Sequence, residues 1–264
     1  MKKTLTLAGS DSSGGAGIQA DLKTFQEHNV YGMTALTSIV AMTPANWGHD
    51  VTPIDVNIVE KQLDTILSVG VDAMKTGMLG SVDIIKLGAK KITAENIDKV
   101  VIDPVMVCKG EDEVLQPENT DAMRELLLPL ATITTPNLFE AGQLAQTGPI
   151  KDIDGMKAAA IKIIELGAQN VVIKGGKALE HEKAVDLFYD GKEFALLESE
   201  RLETTYNHGA GCTFAAAITA NLAQGKTVKE AVIAAKDFVH TAIKHGWKLN
   251  QFVGPVKHGA YNAH

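Results

Sequence analysis

The chain has 264 residues, 45% hydrophobic and 22% charged, with a formal net charge of −7. That length suits one large α/β domain or two small ones, and the balance is that of a soluble globule. No Lys/Arg block marks a nucleic-acid-binding face, and no apolar run approaches the roughly 18 residues of a membrane helix, so neither partner is expected.

Met1-Lys2-Lys3 precedes a short apolar run. It ends within about six residues, short of the roughly 7–15 of a secretory core, so it reads as a first strand over 4–8 in a cytoplasmic protein. A helical pattern follows over 16–28, with Ile18, Leu22 and Phe25 on one face, and a β-branched run over 34–41 reads as a buried strand. Further along, 56–69 is helical, 73–76 a short strand, 82–89 a helix capped by Ser81, and 99–102 a strand ending at Asp103-Pro104. The second half alternates likewise: helix 121–128, strand 131–135, helix 138–145 behind Asn137, helix 156–166 and strand 170–174. Asp190-Gly191 between the runs 184–189 and 193–197 marks a hairpin, and helices over 211–224 and 228–244 close the pattern. Such alternation predicts a mainly parallel sheet covered on both faces, in one domain spanning 1–264, with ligands beyond the C-terminal strand ends.

Three glycine-bearing segments invite comparison with phosphate-binding motifs. Gly15-Ala16-Gly17-Ile18-Gln19-Ala20 fits G-x-G-x-x-A, but the loop from Gly9 is too long, and the second strand ends at Ala41-Met42-Thr43-Pro44 without a ribose-binding acid. Gly225-Lys226-Thr227 lacks the earlier glycine of a P-loop and follows a helix, where Gly225 serves as a C-cap. The strongest signal is Asn207-His208-Gly209-Ala210-Gly211-Cys212-Thr213-Phe214, which opens an apolar helix. Its N–H groups and the helix dipole make an anion hole suited to a phosphoryl group in transfer. A cysteine in that field is expected to have a lowered pKa and to accept a proton from a substrate hydroxyl.

Gly209-Ala210-Gly211-Cys212 resembles the G-[AT]-G-[DC] motif of the ribokinase-like kinases. The cysteine version behind a histidine resembles the branch holding hydroxymethylpyrimidine kinases and their pyridoxal kinase relatives. The likeness runs through almost the whole chain: Ala8-Gly9-Ser10-Asp11, Gly15 to Asp21, Lys75-Thr76-Gly77-Met78-Leu79, Asp103-Pro104-Val105-Met106 and Thr135 to Ala141 stand in the branch's order. It implies a three-layer α/β/α sandwich with a small antiparallel hairpin and a flexible lid. It also implies ATP and Mg²⁺ as cofactors, with a monovalent cation such as K⁺ left open, and a homodimer. Asp103 and Glu140 are the implied metal carboxylates. Lys174 is the implied phosphate contact, with Asn137, Gly211 and Thr213 beside the nucleotide. Cys212 is the implied base, with Gly209, Ala210 and Gly211 supplying amides, and Asp11, Gln19, Met42 and Met78 face the acceptor.

Two positions bear on the acceptor. Hydroxymethylpyrimidine kinases carry a glutamine where Met42 stands, and methionine offers soft contact without an amide to pair. Cys108, in the polar run Val107 to Glu113, resembles the second cysteine of dual-cysteine pyridoxal kinases; a thiolate there adds to an aldehyde as a hemithioacetal. The expected function is phosphorylation of the 5′-hydroxymethyl group of pyridoxal. A hydroxymethylpyrimidine (phosphate) kinase remains the alternative, and a non-catalytic sensor with a kinase fold the alternative of another class.

Overall fold

The computed structural model describes residues 1–106 and 117–263, so Cys108 and the segment expected to form a lid lie outside the described residues. Strand β1 (Lys3–Asp11) leads through the glycine loop into helix α1 (Gly17–Glu27), and β2 (Tyr31–Met42) turns back as β3 (His49–Pro53). There follow α2 (Val56–Leu67), β4 (Ala73–Thr76), α3 (Val82–Ala94) and β5 (Val100–Ile102). Beyond them come α4 (Pro117–Ala122), β6 (Ile133–Thr134), α5 (Leu138–Ala145), α6 (Ile153–Glu165) and β7 (Val171–Lys174). The hairpin β8 (Ala184–Tyr189) and β9 (Phe194–Ser199) precedes α7 (Ala210–Ala223) and α8 (Val228–Lys244).

All nine strands join one sheet in the order β3-β2-β1-β4-β5-β6-β7-β8-β9. The six strands from β2 to β7 are parallel, β3 and β8 run antiparallel to them on either side, and β9 pairs antiparallel with β8 at the far edge. Period-two alternation sorts the side chains of each strand onto opposite faces. Leu5, Leu7, Val100, Ile102, Val171 and Ile173 enter the larger core under α2, α3, α5 and α6. Val101, Ile133, Val172 and Phe188 face α7 and α8. Helix α1 lies on that second face, where Phe25 packs with Ala216 and Ala220.

Two elements depart from the sequence-based expectation. The edge strand β3 carries no alternation because it is almost wholly exposed; it is defined by pairing with β2, from Ser38 opposite Pro53 to Met42 opposite His49. The helix expected over 121–128 is instead α4, then a π-turn over Met123–Leu127 and a 3₁₀ turn over Leu128–Leu130. Pro129 lacks an N–H, and its ring clashes with the carbonyl four residues back, which breaks the α-helical ladder there.

The chain leaves β1 toward β2 on one side and returns, through α2, to β4 on the other. Neighbouring β1 and β4 are therefore a topological switch point, and a crevice opens beyond their C-terminal ends. The sequence motifs collect at this rim.

Candidate active site

The glycine loop after β1 is built around Asp11. Its carboxylate accepts from Ser13 N (2.8 Å) and Ala16 N (2.8 Å) and pairs with His208 Nε2 at 2.7 Å. Burial pushes the Asp11 carboxyl up, but hydrogen bonds from His208 and Ser13 outweigh it and hold the group far below the usual carboxylate range. Gln19 reaches back from α1, accepting from Asp11 N at 2.9 Å and donating to Ser10 Oγ at 2.7 Å. Asp11, which lines the smaller cavity described below, and Gln19 thus also build the loop. Local sequence does not reveal the Asp11–His208 pair, because His208 comes from 197 residues away.

The second loop interlocks with the first. Gly209 caps α7 with φ = 82°, and a Cβ there would stand 1.8 Å from the Gly15 carbonyl oxygen. Gly17, also left-handed, would bring a Cβ to 2.4 Å from the Gly9 oxygen. The C-terminal segment holds this arrangement from outside: His208 N donates to Gly254 O at 3.0 Å, and Val256 N donates to His208 O at 3.2 Å. The Ala210 N–H is spent on Asn207 O (3.1 Å). Among the described residues the helix start therefore leaves the N–H groups of Gly211 and Cys212 for an anion, not Ala210 as expected. Thr213 also departs from expectation. It is fully buried, donates to Gly209 O at 2.8 Å and lies 3.0 Å from His258 Nε2, so its side chain reaches neither cavity.

Two cavities flank the helix start. The larger, about 620 Å³, lies over the ends of β7 and α5 and is lined by Lys174, Lys177, Phe214, Lys236 and His240 among others. The smaller, about 340 Å³, lies at the switch point between Met42, Met78, His49, Lys75, Asp103, Glu140 and Cys212. Asn137, Lys174, Asn207, Ala210 and Gly211 line both, so the two spaces meet at the anion hole. His49 and Lys75 join the expected residues in this cavity. The first sits on an edge strand without a sequence signal, and the second is a lysine inside a short strand.

Asp103, at the end of β5, accepts from Thr135 Oγ1 at 3.0 Å and lies 3.5 Å from Lys174 Nζ. Glu140 forms a capping box with Asn137, accepting from Asn137 N (2.8 Å) and donating its own N–H to Asn137 Oδ1 (2.9 Å). Burial pushes the Glu140 carboxyl up to about 7, against the pull of the Lys174 charge and with the Asp103 charge adding to the rise. Two carboxylates facing one lysine suit a small hard cation that keeps waters and nucleotide oxygens as its other ligands. No cluster of three or more His, Cys, Asp or Glu forms a protein-only cage among the described residues.

Cys212 lines the smaller cavity, but its thiol is not lowered as the helix dipole alone would predict. Burial pushes it up to about 12, and the Asp21 charge adds to the rise; the Lys75 charge and the Gly17 N–H oppose it. The chemistry of the rim is accordingly an anion hole, a lysine, two acids and a largely protonated thiol at the junction of two cavities. The glycine interlock is directly testable. Forcing an alanine into the left-handed region costs about 1–2 kcal/mol before any overlap is counted. Gly209→Ala should therefore lower the melting temperature by at least about 2–4 °C. A calorimetric scan that matches the unsubstituted protein would contradict the close approach.

Residues 11–257 match the family described as phosphomethylpyrimidine kinase. The chain is similar to the pyridoxine kinase of Bacillus subtilis, 63% identical over 98% of this chain and 97% of that one. Its fold matches the crystal structure of an ADP complex of Bacillus subtilis pyridoxal kinase with a TM-score of 0.97, at 62% identity and with all of both chains covered. It also matches the Staphylococcus aureus pyridoxal kinase in complex with pyridoxal, with a TM-score of 0.95 at 60% identity, covering 99% of this chain and 95% of that one. With the match covering nearly its whole length, this chain belongs to the phosphomethylpyrimidine kinase family.

Proposed function

We propose that this chain is an ATP-dependent kinase that phosphorylates the 5′-hydroxymethyl group of pyridoxal, and also of pyridoxine and pyridoxamine, in vitamin B6 salvage. The meeting of two cavities at Lys174 and Gly211 carries this reading. A phosphoryl group passes between a nucleotide in the larger space and an acceptor in the smaller one, and the donors sit at the boundary. The pyridine-binding relatives favour pyridoxal over hydroxymethylpyrimidine, as do Met42 and Met78, which offer a ring apolar contact and no amide for a pyrimidine edge.

Phosphoryl transfer asks a protein mainly for positioning and charge stabilisation. Lys174 and the N–H groups of Gly211 and Cys212 take the developing negative charge on the transferred phosphoryl oxygens. The acceptor oxygen forms its bond to the γ-phosphorus, the bond to the bridging oxygen breaks, and ADP leaves. The hydroxyl proton passes to the sulfur of Cys212 in its thiolate form. Asp103 and Glu140 would hold Mg²⁺ carried by the nucleotide, which supplies charge neutralisation on the phosphate oxygens. The chain would act as one domain, cytoplasmic and homodimeric, with small molecules rather than nucleic acid or membrane as its partners. A monovalent ion such as K⁺ would belong with the nucleotide.

Cys108 enters from the sequence alone. A thiolate adding to the pyridoxal aldehyde would hold the ring while the hydroxymethyl group reacts. Cys108→Ala should then raise KM for pyridoxal several-fold more than for pyridoxine, which has no aldehyde; equal changes would remove the hemithioacetal.

The main reading is tested by mass spectrometry of products after incubation with Mg²⁺-ATP and either pyridoxal or hydroxymethylpyrimidine. Conversion of pyridoxal to its 5′-phosphate, with little pyrimidine phosphate, is expected, and the reverse preference would move the enzyme to thiamine-precursor chemistry. Cys212→Ala should lower kcat by about 100-fold or more, the usual scale of a lost general base, with little change in substrate binding. Because the resting thiol is raised to about 12, kcat at saturating metal and nucleotide should climb with pH across the neutral and alkaline range as the thiolate fraction grows. A flat profile there would exclude Cys212 as the rate-determining base.

A further inference from the structure

Beneath the smaller cavity lies a charge pair that the loops and the metal carboxylates do not explain. Lys75, on β4, and Asp21, on α1, are both 0% exposed, and Lys75 Nζ stands 2.9 Å from Asp21 Oδ2. Thr6 Oγ1 donates to the same oxygen at 2.6 Å, while Asp21 Oδ1 is buried without a hydrogen-bond partner among the described residues. Replacing such a pair by apolar side chains commonly costs a fold nothing, so its retention asks for a use. Lys75 also lines the cavity that holds Cys212. Its side-chain hydrogen bond among the described residues goes to Asp21 alone, although an ammonium has three donors.

Helix α1 ties the pair to the thiol. Gly17, which opens α1, lines the same cavity as Cys212, and its N–H favours the thiolate. Asp21 stands four residues on, on the same face and one turn deeper. We propose that Lys75 is a positioning residue for phosphoryl transfer: anchored by Asp21, it is the fixed positive charge that holds Cys212 as a thiolate when the acceptor proton is taken. The inference rests on Cys212 being the proton acceptor.

Four charged groups act on Cys212 from the elements packed around it: Asp21 from α1, Lys75 from β4, Asp103 from the end of β5 and Lys174 from β7. The two acids oppose the thiolate and the two lysines favour it. Burial pulls the Lys75 ammonium down, but the charges of Asp21, Cys212 and Asp103 outweigh it, so the group stays protonated. Asp21 thus has two effects: it keeps Lys75 charged and in place, and it partly offsets the help Lys75 gives the thiol. No proton passes through the pair. The acceptor proton goes to sulfur, and from the thiol it returns to solvent after product leaves.

The test reads the thiol directly, apart from turnover. Alkylation of Cys212 by iodoacetamide is followed at pH 8 on the full chain, by mass spectrometry of the peptide that carries Cys212. Below the thiol pKa this rate tracks the thiolate fraction. Lys75→Met should slow it by about tenfold, one pKa unit, and lower kcat with KM for either substrate little changed. Asp21→Asn should speed it. A structural role alone would lower the melting temperature in both without moving the alkylation rates in opposite directions. If a single variant does not fold, the near-isosteric double variant Asp21→Asn/Lys75→Met decides. Retained ADP binding with lost kcat supports the proposal, and wild-type kcat overturns it. A folded Lys75→Met protein alkylated at the wild-type rate also overturns it. Should Cys212→Ala itself keep kcat, the proton-acceptor reading fails instead, whatever the alkylation rates show.

Discussion

The backbone of Gly209 approaches the carbonyl of Gly15 so closely that no side chain can stand between them. This contact joins two loops almost 200 residues apart in sequence, and the site is assembled around it. It sets the first turn of α7 against the loop after β1, brings His208 to Asp11 at 2.7 Å, and leaves the Gly211 and Cys212 amides facing the junction of the two cavities. The left-handed conformation at Gly209 ends the preceding coil and starts the helix, so one residue both turns the chain and makes the anion hole. The C-terminal segment completes the clamp through the hydrogen bonds of Gly254 and Val256 to His208.

Around this frame the charges are arranged so that few are left in isolation. Asp103 and Glu140 share Lys174, Asp21 holds Lys75, and Asp11 is met by His208 and two backbone amides. Removing one member of a buried pair typically costs about 3–5 kcal/mol, because its partner is left uncompensated. The fold therefore keeps these groups together or not at all. Glu140 stands at the margin: burial and the Asp103 charge push its carboxyl up to about 7, against the pull of the Lys174 charge.

The family to which the chain belongs is described by phosphomethylpyrimidine, while the relatives above act on B6 compounds. On the proposed reading, the anion hole would suit either acceptor, since both would present a hydroxymethyl group to the same phosphoryl donor. Selection would then fall to the wall of the smaller cavity, where Met42 and Met78 offer soft contact and where His49, opposite Met42 across the β2–β3 pairing, adds a ring nitrogen. A specificity built on apolar contact discriminates only modestly between rings of similar size, so a second, covalent handle on the aldehyde would add selectivity that packing alone lacks.

Much of this protein was legible in the residues. The alternation of strands and helices, the Asn137 capping box, the hairpin at Asp190-Gly191 and the glycine start of α7 are local signals, fixed by turn chemistry and short-range periodicity. Other features depend on what lies across the fold. The edge strand β3 exists through its pairing, and Pro129 decides how the helix before it ends. Asp11 and Thr213 look like ligand contacts in sequence, yet each is also tied into the framework by a histidine from a distant segment, His208 and His258. Cys212 is the sharpest case. Its place at a helix N-terminus predicts a lowered pKa, whereas burial and the charge of Asp21 raise it, with Lys75 opposing. Helix position is a local property that the chain order determines by itself; desolvation and charge proximity depend on every segment that closes around the sulfur, and only the tertiary structure decides them.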